Sequence, residues 1–108
     1  MRVNFTARHY KPSKRLKEYA QNEVKRLEKV YNGIIDCDIV LDYQKEIQIA
    51  EILINVYGSK LKVSEKTEDI YKSIDLAVQK LERQLIKYKE KHYQKYDVKE
   101  IKRTEESL

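Results

Sequence analysis

The chain has 108 residues, the size of one domain, and 41% of them are hydrophobic, which is enough for one modest core. Cys37 is the only cysteine, which excludes an intrachain disulfide and a cysteine-based zinc site and is typical of a reducing cytoplasm. A charged fraction of 38% and a net charge of +5 favour a polyanionic partner.

The first third of the chain predicts a strand followed by a helix. Apolar and polar residues alternate over residues 2–7, which is the pattern of a strand with one buried face. Apolar residues then recur at steps of three and four over residues 13–31, which predicts an amphipathic helix with Ser13 as its N-cap. Asn32-Gly33 tolerates a left-handed backbone, a common way to end a helix.

Three further strands are predicted next, joined by short turns. In the first of them, alternation places five residues on an apolar face: Ile35, Cys37, Ile39, Leu41 and Tyr43. The opposite face of that strand is acidic. A polar turn at residues 44–46 leads to a second strand over 50–56. Gly58-Ser59 predicts a hairpin turn before a third strand, in which lysines alternate with apolar residues.

The last third of the chain predicts a long helix. Thr67 is a suitable N-cap, and no glycine or proline follows it. One apolar stripe runs through Ile70, Ile74, Ala77, Val78, Leu81, Leu85 and Tyr88. A helix over residues 68–95 would be roughly 40 Å long, so its C-terminal end should project beyond the core. From Asp97 onward the apolar period fades, and we expect residues 97–108 to form a flexible tail.

These elements predict an α+β fold in a single domain over residues 1–96. The order strand, helix, three strands, helix favours a two-layer βαβββα sandwich. It would consist of a four-stranded, mostly antiparallel sheet with two helices on one face. The predicted centre of the core comprises Phe5, Leu27, Ile39, Ile54, Ile74 and Leu81.

Charge is distributed unevenly along the chain. Residues 1–31 carry a net charge of +6 and residues 59–96 carry +4, whereas residues 32–58 carry −4 and residues 97–108 carry −1. Both predicted helices therefore lie in basic segments, and the first two strands of the meander lie in an acidic one. A nucleic-acid partner would meet the helices rather than those strands.

The second helix carries a row of cations spaced three and four residues apart: Lys80, Arg83, Lys87 and Lys91. At about 100° per residue they share one side of the helix, away from the apolar stripe. Such a row can neutralise several phosphates and release their counterions. It can equally be the solvated polar face that any amphipathic helix needs. Only Glu82 and Glu90 interrupt the cations in this stretch, which favours binding.

Several segments together resemble a known family. EDIYKSIDLAVQKLERQLIKYKEK, residues 68–91, combines an acidic pair, an aromatic, an Ile-Asp pair and a Lys-Leu-x-Arg-Gln-Leu run that ends in lysines. VNFTAR and KRLEKVYN precede it in the order expected. The chain is similar, over nearly its whole length, to the ribosome hibernation promoting factors, also called ribosome-associated translation inhibitors.

The resemblance implies a function as well as a fold. Members of this family have a βαβββα fold similar to a double-stranded-RNA-binding domain, and they occupy the decoding channel of the small ribosomal subunit. There they block mRNA and tRNA and silence translation under stress or in stationary phase. The implied RNA-binding residues are Arg8, Arg26, Lys29, Lys80, Arg83, Lys87, Lys89 and Lys91. Glu23 departs from the family, since many members have a basic residue there.

The resemblance also bears on assembly. The long form of the family carries a C-terminal dimerisation domain after a linker, and this chain matches the short form. We therefore expect no stable self-dimer. Two other interpretations remain open: a general double-stranded-RNA-binding module, and a protein-interaction adaptor that docks through the acidic strands or the projecting helix.

Other features indicate that the protein is not an enzyme. There is no glycine-rich phosphate loop, Ser-His-Asp set or pair of catalytic carboxylates, so we expect no cofactor and no small-molecule substrate. His9 and His92 lack ligand spacing, so we expect no metal. No signal peptide or membrane-spanning run is present, which favours the cytoplasm and no membrane partner. Base stacking is an option for Tyr93 or Tyr96, and for Tyr88 packing is the default.

Overall fold

A computed structural model describes the backbone of residues 1–101 and the side chains of residues 1–91. The elements are β1 (Arg2–Ala7), α1 (Lys14–Lys25), α2 (Leu27–Val30), β2 (Ile34–Gln44), β3 (Ile47–Val56), β4 (Ser59–Thr67) and α3 (Ile70–Ile101). The predicted order is confirmed, with one difference in the first helix. That helix is divided at Arg26 into α1 and the single turn α2.

The four strands form one sheet in the order β1-β2-β3-β4. β2, β3 and β4 pair as an antiparallel meander, joined by short turns. β1 pairs in parallel with β2, from Arg2 opposite Asp36 to Ala7 opposite Leu41. A parallel pair needs a crossover connection, and α1 and α2 supply it. The predicted α+β sandwich with a mostly antiparallel sheet is confirmed.

The helices cover one face of the sheet, and the core lies between the two layers. Five of the six residues predicted at its centre are at most 1% exposed: Leu27, Ile39, Ile54, Ile74 and Leu81. Phe5 is only partly buried because it lies on the edge strand β1. Alternate residues of β2 and β3 point into this core, so the other face of the sheet is left open.

The predicted position of Ile35 in the core is wrong. The pairing of β2 with β3 shifts register between Ile34 and Asp36. Such an irregularity inserts one residue and reverses which side chains point inward. Ile34 is consequently buried at 5% exposure, whereas Ile35 is 57% exposed. At the other end of β2, Tyr43 is also exposed rather than buried.

The helix starts show one correct and one incorrect prediction. Ser13 caps α1, and its Oγ accepts a hydrogen bond from the Leu16 amide at 3.1 Å. Asp69, rather than Thr67, caps α3, since its carboxylate accepts from the Tyr71 amide at 2.9 Å. Thr67 instead ends β4, and its hydroxyl accepts from the Asp69 amide at 3.0 Å, which holds the short connection in place.

α3 is longer than predicted. It continues to Ile101, beyond the boundary expected near residue 96. Its 32 residues correspond to about 48 Å. Residues 102–108 of the predicted tail lie outside the described residues, so the division at 96/97 stays a prediction. No helix in the described part of the chain is long and apolar enough to cross a bilayer.

Candidate nucleic-acid interface

The orientation of α3 decides which of its cations face solvent. Ile74, Leu81 and Leu85 are fully buried against the sheet. Because they fix one side of the helix to the core, residues on the opposite side must be exposed. The predicted row Lys80, Arg83, Lys87 and Lys91, called the α3 row below, is exposed at all four positions.

The α3 row begins beside an edge strand of the sheet. The Lys80 ammonium lies 3.5 Å from the carboxylate of Glu65 in β4, and β4 has no strand on its other side. The Lys80 side chain is 49% exposed, and ion pairs of this kind contribute about 0–1 kcal/mol. Lys80 therefore remains able to contact an anion that approaches this edge.

The opposite side of α3 is used for packing against α1. The Tyr19 hydroxyl donates to the Asp75 carboxylate at 2.5 Å, and the rings of Tyr19 and Tyr71 meet edge to face at 4.9 Å. This hydrogen bond is the main reason that the pKa of Tyr19 is raised to about 12. Tyr19 is therefore protonated at neutral pH and stays a donor. This side of α3 holds the helices together.

Lys89 is separated from the α3 row. Its ammonium donates to the backbone carbonyl of Val30 at 3.1 Å and ties α3 to the end of α2. Lys89 and Lys29 line a shallow depression of about 250 Å³ between these two helices. The structure thus brings Lys89 together with Lys29, on the far side of α3 from the row.

The cations of α1 and α2 are partly neutralised. The Arg26 guanidinium lies 3.1 Å from the Glu23 carboxylate, three residues earlier. Glu23, where the resemblance leads us to expect a basic residue, thus pairs with a cation that the resemblance assigns to RNA. Lys29 is exposed one turn beyond the break at Arg26.

Arg8 lies at the other end of the sheet. Its amide donates to the Leu41 carbonyl at 2.8 Å, which prolongs the β1–β2 pairing. Its charge is one of the contributions that lower the pKa of Asp42, the largest being the 2.8 Å hydrogen bond to His9. Arg8 is therefore not part of one continuous surface with the C-terminal half of the α3 row.

The open face of the sheet is acidic along β2. The Asp36 carboxylate accepts a hydrogen bond from the side-chain amide of Asn55 at 2.5 Å, and the Asp38 carboxylate accepts one from the side-chain amide of Asn4 at 2.8 Å. Within the described residues, no group of three or more histidine, cysteine or acidic side chains could hold a metal ion. Cys37 points to the opposite face, where burial raises its pKa to about 12, so it is an unreactive thiol within the core.

Two features of the surface were missed in the sequence. Lys60, Lys62 and Lys66 lie on the open face of β4, opposite Asn55, Leu53 and Ile49 of β3. Their alternation with apolar residues predicts a strand but does not by itself indicate a cationic surface. The second feature is Tyr57, at the tip of the β3–β4 hairpin, where its side chain is 81% exposed.

The family is identified by comparison with known proteins. The sequence profile of the family described as Sigma 54 modulation protein / S30EA ribosomal protein matches residues 3–93. The chain belongs to this family. It is 32% identical over 95 residues to the ribosome hibernation promoting factor of Azotobacter vinelandii, covering 88% of this chain and 89% of that protein. The ribosome hibernation promoting factor of Escherichia coli K12 is 29% identical over 91 residues, covering 84% of this chain and 96% of that protein.

Two similar proteins of known structure have the same fold. A ribosomal subunit interface protein from Coxiella burnetii superposes with a TM-score of 0.78 at 28% identity, covering 82% of this chain and 98% of that one. The N-terminal domain of Thermus thermophilus Protein Y superposes with a TM-score of 0.76 at 26% identity, covering 82% of this chain and 99% of that one. The family resemblance drawn from the sequence is confirmed. The family to which the chain belongs consists of non-enzymatic ribosome-binding proteins, so the chain is not an enzyme.

Proposed function

We propose that this S30EA-family protein is a cytoplasmic ribosome hibernation factor that binds ribosomal RNA in the decoding channel of the small subunit. Bound there, it excludes mRNA and tRNA and silences translation under stress or in stationary phase. The α3 row carries the proposal, because it places four exposed cations along one free flank of a helix whose other sides are fixed by packing.

The spacing of the α3 row suits an RNA backbone. Successive members lie about one helical turn apart, so each can reach a different phosphate of one strand or of two strands across a groove. Each neutralised phosphate releases counterions and strengthens binding at low salt. Arg83 can hold a phosphate with two parallel hydrogen bonds, which a lysine cannot.

A rigid support makes this row effective. α3 is fixed by its buried stripe, by the Tyr19–Asp75 hydrogen bond and by the contact of Lys89 with Val30. Cations held in place before binding lose less conformational freedom when RNA arrives. In this proposal Arg26 and Lys29 add a second, weaker contact with RNA. Arg8 adds a third contact at the other end of the sheet. We expect one copy to act alone, without a stable self-dimer.

The test is co-sedimentation with vacant ribosomes at several salt concentrations. A variant with Lys80, Arg83 and Lys87 changed to alanine should fold normally, since all three are exposed. It should bind more weakly, and the slope of log affinity against log salt should fall by nearly one unit for each lost phosphate contact. Unchanged affinity and slope would show that the α3 row is only a solvated face.

A matched control removes three cations elsewhere. Lys11, Lys14 and Lys17 are also exposed, and their triple alanine variant has the same net charge as the α3-row variant. The proposal expects the control to bind more tightly than the α3-row variant. Equal losses in the two variants would mean that binding depends on net charge and not on the α3 row.

Competition experiments separate the proposed site from other ribosomal sites. Prior binding of mRNA and tRNA to the small subunit should prevent binding of the protein, because both need the same channel. Binding that survives these ligands, and that extends to any long RNA duplex, would identify a general double-stranded-RNA module. Binding that is insensitive to salt would indicate a protein-docking adaptor instead.

A further inference from the structure

Tyr57 is an exposed aromatic residue at a defined point of the surface. It forms the β3–β4 turn with Gly58, between Val56 and Ser59, which are paired. Gly58 has a φ of 77°, a conformation that side chains rarely adopt, so the turn is specified by the sequence. The tyrosine side chain beside it is 81% exposed. A large ring left in water at a rigid turn contributes nothing to the core.

The tip of this hairpin is fixed to α3. The Tyr88 hydroxyl donates to the Tyr57 carbonyl at 2.8 Å. The Tyr88 ring in turn packs edge to face on Tyr31, with ring centroids 5.6 Å apart. The backbone of Tyr57 is therefore held in place, although its own side chain is directed into solvent. An exposed ring on a fixed backbone loses little freedom when it binds a flat partner.

Exposed lysines lie on both elements that meet at this hairpin. Tyr88, which holds the hairpin, lies between Lys87 and Lys91 in α3, so Tyr57 is adjacent to the C-terminal end of the α3 row. Lys60 follows the turn and is exposed on the open face of β4. An exposed aromatic ring on a surface that also carries lysines is a combination that binds single-stranded nucleic acid, since cations contact the backbone and the ring offers the bases a flat apolar surface.

We propose that Tyr57 stacks on an unpaired nucleobase of the RNA strand whose phosphates contact Lys87 and Lys91. The inference rests on the proposed function and adds a base-contacting residue to a surface that otherwise contacts only the backbone. Stacking tolerates any base, because every base presents a π face. The partner segment is therefore a bulged, looped or terminal nucleotide next to an RNA helix.

The affinity of vacant ribosomes for three substitutions at Tyr57 tests this proposal. Tyr57→Ala should weaken binding about 5-fold to 150-fold, the range measured for loss of one base–aromatic stack. Tyr57→Phe should retain affinity, because the ring remains, and Tyr57→Leu should lose most of it. The salt slope should be unchanged in all three, since no charge is removed, in contrast to Lys87→Ala. Thermal unfolding should be unaffected, because the ring is exposed.

A spectroscopic measurement examines the contact directly. The chain contains no tryptophan, so Tyr57→Trp introduces a single fluorophore. Its emission should be quenched when vacant ribosomes are added, because a stacked base quenches indole fluorescence. Tryptophan placed instead at Ile86, which is exposed on α3, serves as the control and should be quenched less.

Three results would overturn the inference. Wild-type affinity of Tyr57→Ala would show that no contact forms. Full affinity of Tyr57→Leu would indicate an apolar contact with protein rather than stacking. Loss of affinity in Tyr57→Phe would assign the binding to the hydroxyl. Each of these leaves the proposed function intact as long as the wild type binds ribosomes and the α3-row variant does not.

Discussion

The two flanks of α3 have the same helix geometry and opposite uses. On the flank that faces α1 and α2, polar groups bond within the protein: Asp75 accepts from Tyr19, and Lys89 donates to Val30. On the flank along the free edge of β4, Lys87 and its neighbours in the α3 row face solvent. A lysine is structural on one flank and available to a ligand on the other, and only the position of the neighbouring helix distinguishes the two.

Lys87 and Lys89 make this point most clearly. They are two residues apart, which places them about 200° apart around the helix. One is exposed, and the other is half-buried and donates a hydrogen bond to a helix end. In the unbound protein the Lys89 ammonium is therefore engaged within the fold, whereas that of Lys87 faces solvent.

The largest expected effect on stability comes from shortening Leu81, because this side chain packs α3 against the sheet and so positions both flanks. Leu81 is fully buried between them, and Leu81→Ala should lower the free energy of unfolding by about 2–5 kcal/mol. Urea denaturation followed by circular dichroism measures this loss. Arg83→Ala is the control, because Arg83 is exposed, and its free energy of unfolding should stay within about 0.5 kcal/mol of the wild-type value. A loss below 1 kcal/mol for Leu81→Ala would contradict the packing described for α3.

The inner flank alone is tested through Tyr19. Tyr19→Phe removes the donor to Asp75 and should lower the free energy of unfolding by about 1 kcal/mol at pH 8. The pKa of Tyr19 is about 12 in the folded protein and near 10 when unfolded, so the folded state favours the protonated hydroxyl. The stabilisation is complete below pH 10 and is lost as the pH rises to 12.

The pH series therefore has a definite expected form. The difference in the free energy of unfolding between wild type and Tyr19→Phe should be constant up to pH 10 and should shrink above it. Other titrations contribute almost equally to the two proteins and cancel in the difference. A difference that grows above pH 10 would mean that the hydroxyl ionises more easily in the folded state.

The smallest effects distinguish the two flanks directly. Lys89→Met should lower the free energy of unfolding by about 0.5–1.5 kcal/mol and leave the salt dependence of ribosome binding unchanged. Lys87→Met should leave stability unchanged and reduce the salt slope by nearly one unit. If Lys89→Met also flattens the slope, Lys89 must leave Val30 to bind RNA, as the family resemblance implies.

The fold was predicted well because it depends on periodicity. Alternation of apolar residues identified β2, β3 and β4, and the three-and-four spacing of apolar residues identified the helices. The errors lie where a single residue breaks the period. The register shift at the start of β2 buries Ile34 and exposes Ile35, the reverse of the predicted alternation, and no feature of the composition marks this shift. Asp69, rather than Thr67, caps α3 because β4 extends to Thr67, beyond the apolar alternation that marks this strand in the sequence.

The candidate interface was predicted less completely, because it depends on how elements meet. Helix periodicity alone placed the α3 row on one side, and the structure finds it exposed. The bond from Lys89 to Val30 depends on where α2 ends relative to α3, which no local pattern determines. The exposure of Tyr57 likewise follows from the length of the hairpin, since an alternating pattern cannot show which turn residue reaches solvent.

The parallel pairing of β1 has a consequence for how the chain assembles. Each strand of the meander meets its neighbour across a two-residue connection, whereas β1 must wait until both helices of the crossover and then β2 exist. Closing that longer loop before any strand contact forms costs more entropy, so β1 should join the sheet late. β1 precedes the meander in the chain and, on this account, is among the last strands of the sheet to find its partner, which leaves it transiently unpaired as the chain is made.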